Sequence, residues 1–179
     1  AVVEADESDG SFLKIPITYS VVSNIDKEHL DYYKNFNNLY KSFETFINKT
    51  PLIGKSFVCT DDKFLKKILK NKNKSNIITY GFENGSDLHP YNVKNLGKMM
   101  CFNISVKLNN KVEHIKNIEL NLLGRHNVLN ATAAIGVAKS LGIKNNIIKK
   151  TLKNFLGVQR RLTKITNFRG SEIYDDYAH

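Results

Sequence analysis

A chain of 179 residues, 41% hydrophobic and with a formal net charge of +10, is near the size of a single domain and can bury a real core. No apolar run approaches the ~18 residues of a membrane span. Of the 27 basic residues 23 are Lys and 4 are Arg, and aromatics are not interleaved among them. That is not the make-up of a nucleic-acid reader, which grips phosphates and bases with Arg forks and stacks bases on rings.

In chain order, residues 1–3 read as a short buried parallel strand that runs into the acidic cluster Glu4-Ala5-Asp6-Glu7-Ser8-Asp9. Residues 19–23 repeat the pattern, a strand followed by Asn24-Ile25-Asp26-Lys27-Glu28-His29-Leu30-Asp31. Leu39, Phe43, Phe46 and Ile47 then share one helical face, closed by Pro51. Residues 56–59 read as a strand, Asp61-Asp62 as the start of a helix over residues 64–69, and residues 76–80 as a further strand. The Lys/Asn-rich stretch 70–76 is expected to be a solvated loop. This alternation of strand and helix predicts a parallel sheet.

The period changes near Gly97. Met100, Phe102, Ile104, Val106 and Leu108 alternate with polar residues, Asn109-Asn110 supplies a turn, and Ile118, Leu120 and Leu122 return. The expectation is a small antiparallel sheet appended to the parallel one. Two helical stripes follow, Val128, Ala131, Ile135, Ala138 and Leu141 up to Gly142, then Ile148, Leu152, Phe155 and Leu156 up to Gly157. Short strands over residues 162–168 and 171–174 finish the chain. The start in mid-strand and the stop just after Asp175-Asp176 read as those of a fragment, which would hide any secretory leader.

Side chains just past the carboxyl ends of parallel strands converge on the ligand crevice of an open α/β sheet. Glu7 is there a candidate for a divalent cation, since Mg²⁺ binds through one or two carboxylates plus phosphates. His29, between Glu28 and Asp31, suits a second, more weakly held ion such as Mn²⁺. Asn127 could cap the Ala-rich helix, yet Asn130 recurs on the same face and Asn amides match the edge of adenine. The Arg160-Arg161 pair offers planar forks for a phosphate, or donors for surface ion pairs. Asp175-Asp176 could accept ribose hydroxyls. Gly54-Lys55-Ser56 ends like a phosphate loop, but Lys49 stands where the first Gly is required. Cys59 and Cys101 lack metal-ligand spacing and read as thiols in a reducing compartment.

Together, Glu4-Ala5-Asp6-Glu7-Ser8-Asp9, the run from Asn24 to Asp31, Gly124-Arg125-His126-Asn127-Val128-Leu129-Asn130-Ala131, the segment from Gly157 to Arg161 and Asp175-Asp176-Tyr177-Ala178-His179 resemble the Mur ligase family, in order along the whole chain. The resemblance implies an α/β fold, the family's central ATPase domain, mostly parallel sheet flanked by helices plus a small antiparallel sheet, truncated at both ends. Residues 1–174 would be that domain without its phosphate loop, residues 175–179 the start of a C-terminal ligase domain. The outer N- and C-terminal domains would belong to the same protein.

By the same likeness Glu7 and His29 would hold metal, Asn127 and Asn130 would face adenine, Arg161 the γ-phosphate and Asp176 the ribose, with Tyr177 and His179 near the substrate. Glu7, His29 and Arg161 would be the catalytic set. The implied cofactors are ATP and Mg²⁺ or Mn²⁺. The likeness is nearest the member that joins L-alanine to UDP-N-acetylmuramate in peptidoglycan synthesis, a cytoplasmic ligase with no nucleic-acid or membrane partner. The family usually has Phe after the Arg pair, where this chain has Leu162. Alternatives are a sister ligase acting on a murein tripeptide, a folylpolyglutamate-type enzyme, or a basic nucleic-acid-binding module.

Overall fold

The computed structural model describes residues 1–70, 75–158 and 163–176. Its centre is a six-stranded sheet in chain order, β1 (Tyr19–Val22), β2 (Lys55–Cys59), β3 (Ile77–Tyr80), β4 (Leu88–Asn95), β5 (Met100–Leu108) and β6 (Lys111–Leu120). β1 to β4 run parallel and β4 to β6 antiparallel. Between β1 and β2 lie α1 (Leu30–Tyr33) and α2 (Phe36–Lys49), and between β2 and β3 lies α3 (Lys63–Lys70). α4 (Arg125–Ser140) and α5 (Asn145–Asn154) follow β6. A separate two-stranded sheet is made of β7 (Thr163–Phe168) and β8 (Ser171–Asp175).

The local reasons are visible in the side chains. Asn35 caps α2, its Oδ1 accepting the Asn38 N–H at 3.0 Å, and Asp62 Oδ1 accepts the N–H groups of Phe64 and Leu65 at 2.9 and 2.7 Å at the start of α3. Such caps satisfy donors that the first helical turn leaves without partners. Asn109 and Asn110 both have positive φ, 50° and 61°, as a two-residue hairpin of this hand requires. α4 lies close on the sheet because its buried face carries Ala131, Thr132, Ala133 and Gly136.

Three expectations need correction. Residues 1–3 form no strand, and Val2 and Val3 are exposed with no strand paired to them, so the apolar run is not a buried one. The antiparallel strands are appended to the parallel part as expected, and β4, unassigned from sequence, is the strand that bonds them to it. Leu141, Phe155 and Leu156 fall beyond the ends of α4 and α5 and are exposed, so the stripes are shorter than their apolar spacing. Asn76 is not solvated. It is buried, its Nδ2 donating to the carbonyls of Thr50 and Pro51, both at 3.0 Å, while residues 71–74 of that stretch lie outside the described residues.

β3 and β4 share a single rung, Tyr80 opposite Leu88. Past it the β3 side of β4 has no parallel neighbour, which is why Pro90 is tolerated inside a central strand: no ladder bond requires its missing N–H. Asp87 stitches the junction, its Oδ2 accepting from the backbone N–H and hydroxyl of Thr79 at 2.9 and 2.7 Å and its carbonyl accepting the Lys107 N–H at 2.7 Å.

Candidate functional site

A crevice of about 250 Å³ opens beyond the carboxyl ends of β1, β2 and β3. Its walls are Ser23 and Asn24 after β1, Cys59, Asp61 and Asp62 at the end of β2, Tyr80 at the end of β3, and His126, Leu129 and Asn130 on the first turns of α4. Asp61 closes one side, its Oδ1 accepting the Phe82 and Glu83 N–H groups at 2.9 and 3.3 Å, so the loop after β3 is fixed to the strand beside it. The Arg125 guanidinium lies 3.9 Å from the centre of the Phe82 ring, a cation–π contact that fastens the same loop to the start of α4. Burial pushes the Cys59 thiol up, which keeps it protonated and unreactive at neutral pH. The Tyr80 phenol is likewise pushed up by burial, and it donates to the Val22 carbonyl at 3.3 Å.

The acidic loop is built from two consecutive turns. Asp6 Oδ1 accepts the Ser8 N–H and Asp9 Oδ1 the Ser11 N–H, both at 2.8 Å, and these bonds from Ser8 and Ser11 hold both carboxyls below their ordinary values. Asp6 and Asp9 thus serve the backbone, while Glu7 sits between them, half-buried. Phe12, buried against Phe43 and Phe46 at ring separations of 5.5 and 5.0 Å, anchors the loop on α2.

His29 precedes α1 with φ 56° and ψ 31°, a left-handed conformation uncommon for a residue with a side chain. Lys34, at the other end of this four-residue helix, has φ 68° and ψ −34°. Backbone strain of this kind clusters at functional sites. Glu7 and His29 are on adjoining loops, joined by Tyr33, whose backbone N–H donates to the His29 carbonyl at 3.1 Å and whose hydroxyl donates to the Glu7 carbonyl at 2.5 Å.

Among the described residues no three His, Cys, Asp or Glu side chains gather into a metal cage. The Glu7 carboxylate suits a cation that takes the rest of its shell from phosphates and water, as Mg²⁺ does, and the His29 imidazole on the neighbouring loop suits a second ion such as Mn²⁺.

Of the two asparagines, Asn130 lines the crevice. Asn127 is the third residue of α4, after Gly124 in the cap position, and its Nδ2 donates to the Leu123 carbonyl at 2.7 Å. Asp176 follows β8 in the two-stranded sheet and is not among the crevice walls. Arg161, Tyr177 and His179 lie outside the described residues. Asp61, Tyr80, Cys59 and His126 were not recognised from sequence. The one signal available was that each stands at a strand end or helix start, as His29 does. Among the described residues no helix is long and apolar enough to cross a membrane.

A mixed sheet with a polar crevice at the carboxyl ends of its parallel strands, walled by a helix start, defines an α/β ligand-binding domain. The chain belongs to the Mur ligase family: the family model of the Mur ligase middle domain matches residues 1–138. It is 49% identical, over 99% of its length, to the UDP-N-acetylmuramate–L-alanine ligase of Pelagibacter ubique, and 42% identical over 99% to that of Bartonella tribocorum. It spans 39% and 38% of the length of those relatives. Among solved structures, the UDP-N-acetylmuramate–alanine ligase MurC of Thermotoga maritima superposes over 98% of this chain and 38% of its own, with a TM-score of 0.76 at 23% identity. MurF ligase of the same organism, solved in complex with ADP, superposes over 89% of this chain and 35% of its own with a TM-score of 0.67 at 17% identity. These two likenesses establish the fold.

Proposed function

We propose that the protein carrying this chain is an ATP-dependent ligase that joins L-alanine to UDP-N-acetylmuramate, and that residues 1–174 are part of its central ATP-binding domain, with residues 175–179 leading into the next. The observation that carries the reading is the 49% identity, along nearly the whole chain, to a relative named for that reaction. The crevice supports it with the chemistry expected of a nucleotide site.

A carboxylate resists attack by an amine, so the muramoyl carboxylate takes the γ-phosphoryl of ATP, releasing ADP. The alanine nitrogen then attacks the acyl carbon, loses its proton, and phosphate leaves as the amide forms. Divalent cations, when bound, spread the charge of the transferring phosphoryl group. Glu7 and His29 would hold them, and the αL backbone of His29 would aim its ring from the start of α1. Asn130 would read the adenine edge from the crevice wall, with Asn127 anchored to Leu123 beneath it. Arg161 would meet the γ-phosphate and Asp176 the ribose, while Tyr177 and His179 would lie toward the substrate. In this reading the enzyme works in the cytoplasm.

The test is ADP release by the full-length protein. It should require both UDP-N-acetylmuramate and L-alanine. Glu7→Gln should lower turnover by about 10²-fold, the scale of removing one charge-stabilising group, and Asn130→Ala should raise KM for ATP more than KM for alanine. ADP release with a murein tripeptide in place of alanine would move the protein to the sister activity. Retention on heparin with no response to nucleotide would favour the nucleic-acid reading.

A further inference from the structure

Tyr33 is buried, 6% exposed, and joins the two loops that carry Glu7 and His29. Its backbone N–H donates to the His29 carbonyl at 3.1 Å, and its phenol crosses to the Glu7 carbonyl at 2.5 Å. The same Glu7 carbonyl accepts the Gly10 N–H at 3.2 Å, so one oxygen both closes the acidic turn and receives the phenol. Asn38 Nδ2 holds the Tyr33 carbonyl at 2.8 Å from the first turn of α2. Tyr32 packs edge-on against the Tyr33 ring, centroids 4.9 Å apart, and its hydroxyl lies over Gly10, where an added Cβ would come within 2.8 Å of it. Gly10 also has φ 72°, so the turn tolerates neither a side chain nor a shift toward the rings.

We propose that Tyr33 is a positioning residue for the divalent cations: by bonding the backbones of Glu7 and His29 at once, it fixes the relative placement of the two loops whose side chains would hold them. The proposal rests on the reading of Glu7 and His29 as ligands given above. Mg²⁺ demands near-ideal octahedral geometry, so a carboxylate on a loop free to drift binds it less well.

The experiment measures Mn²⁺ binding to the full-length protein in the presence of ADP, by the electron paramagnetic resonance of free Mn²⁺, with amide hydrogen exchange over residues 6–11 as a second readout. Four variants are compared with the parent: Tyr33→Phe, Glu7→Gln, Asn38→Ala and, as a control, Ser20→Ala. Ser20 bonds Thr50 and Ser56 at 2.8 Å at the amino ends of the strands, away from the crevice. Tyr33→Phe should weaken Mn²⁺ by about tenfold, the low end for losing an outer-shell partner, and speed exchange in the acidic loop, with KM for the metal rising more than kcat falls. Ser20→Ala should lower Tm without moving the metal affinity. If Glu7→Gln weakens the metal and Tyr33→Phe does not, the positioning role is overturned and the ligand assignment stands. If neither does, the assignment itself is wrong. Should Tyr33→Phe fail to fold, Asn38→Ala must show a smaller weakening, and parent-like affinity there overturns the proposal.

Discussion

Gly136 faces the sheet from the middle of α4, where helix propensity alone would favour Ala. A Cβ added there would meet Leu88 Cδ1 at 2.3 Å and the Phe57 ring at 2.8 and 3.0 Å. Both neighbours are fully buried, Phe57 and Leu88 at 0%. Gly136→Ala gains about 1 kcal/mol in helix propensity. Overpacking a full core costs about 1–3 kcal/mol, and two contacts well under van der Waals distance put this site at the upper end. The net expectation is a loss of about 2 kcal/mol, read as a Tm lower by about 4–8 °C for a domain of this size. Thermal unfolding followed by circular dichroism makes the measurement. Leu88→Val, which withdraws the clashing methyl, should cost stability alone but recover part of it in combination with Gly136→Ala, a non-additivity expected only of touching side chains. A Gly136→Ala protein as stable as the parent, with additive double-mutant energies, would refute the close packing of α4 on β2 and β4.

Two further outcomes are expected. Lys34→Gly should stabilise the protein by about 1 kcal/mol in urea unfolding, because relief of about 1–3 kcal/mol of backbone strain at φ 68° exceeds the 0.4–1 kcal/mol or so that glycine adds in unfolded-state entropy. Destabilisation would mean that the turn is not strained. Glu113 accepts from Lys139 Nζ at 2.9 Å and Asn145 Nδ2 at 2.6 Å, and these bonds hold its carboxyl below its ordinary value of 4.5. A depressed folded-state value gives stability that is present above that ordinary value and lost as pH falls through the folded one. Glu113→Gln should therefore lower Tm at pH 7 by an amount worth about 0.2–1 kcal/mol. The gap should close as pH falls below 4.5, and a gap unchanged by pH would remove the carboxylate from this role.

What could be read from sequence follows the range of each signal. β5 and β6 were legible because side chains of alternating polarity flank Asn109-Asn110, all within one local stretch. β4 was hidden by Pro90, whose tolerance depends on a neighbour strand that stops at Tyr80. The crevice was half legible. Asn130 stands out by type, as Glu7 and His29 do on the adjoining loops outside its walls, whereas Asp61 looks like a helix start, Cys59 like a core thiol and Tyr80 like the last residue of a strand, and only the strand order brings them to one wall. Tyr33 escaped for a related reason: its decisive bond reaches a backbone carbonyl 26 residues away, which leaves no mark on local pattern.

The single rung between Tyr80 and Leu88 makes the sheet behave as two stiff plates meeting at a joint. Each plate keeps its own ladder intact if the other rolls, so deformation concentrates at that seam rather than spreading through the strands. α4 lies across it, packed on β2 and β3 on one side and on β4 and β5 on the other, a splint whose upper end carries His126, Leu129 and Asn130. A roll of the antiparallel plate would carry that helical wall against Ser23, Cys59 and Asp61. Asp87, bonded to Thr79 of β3 and to the Lys107 N–H of β5, ties across that seam.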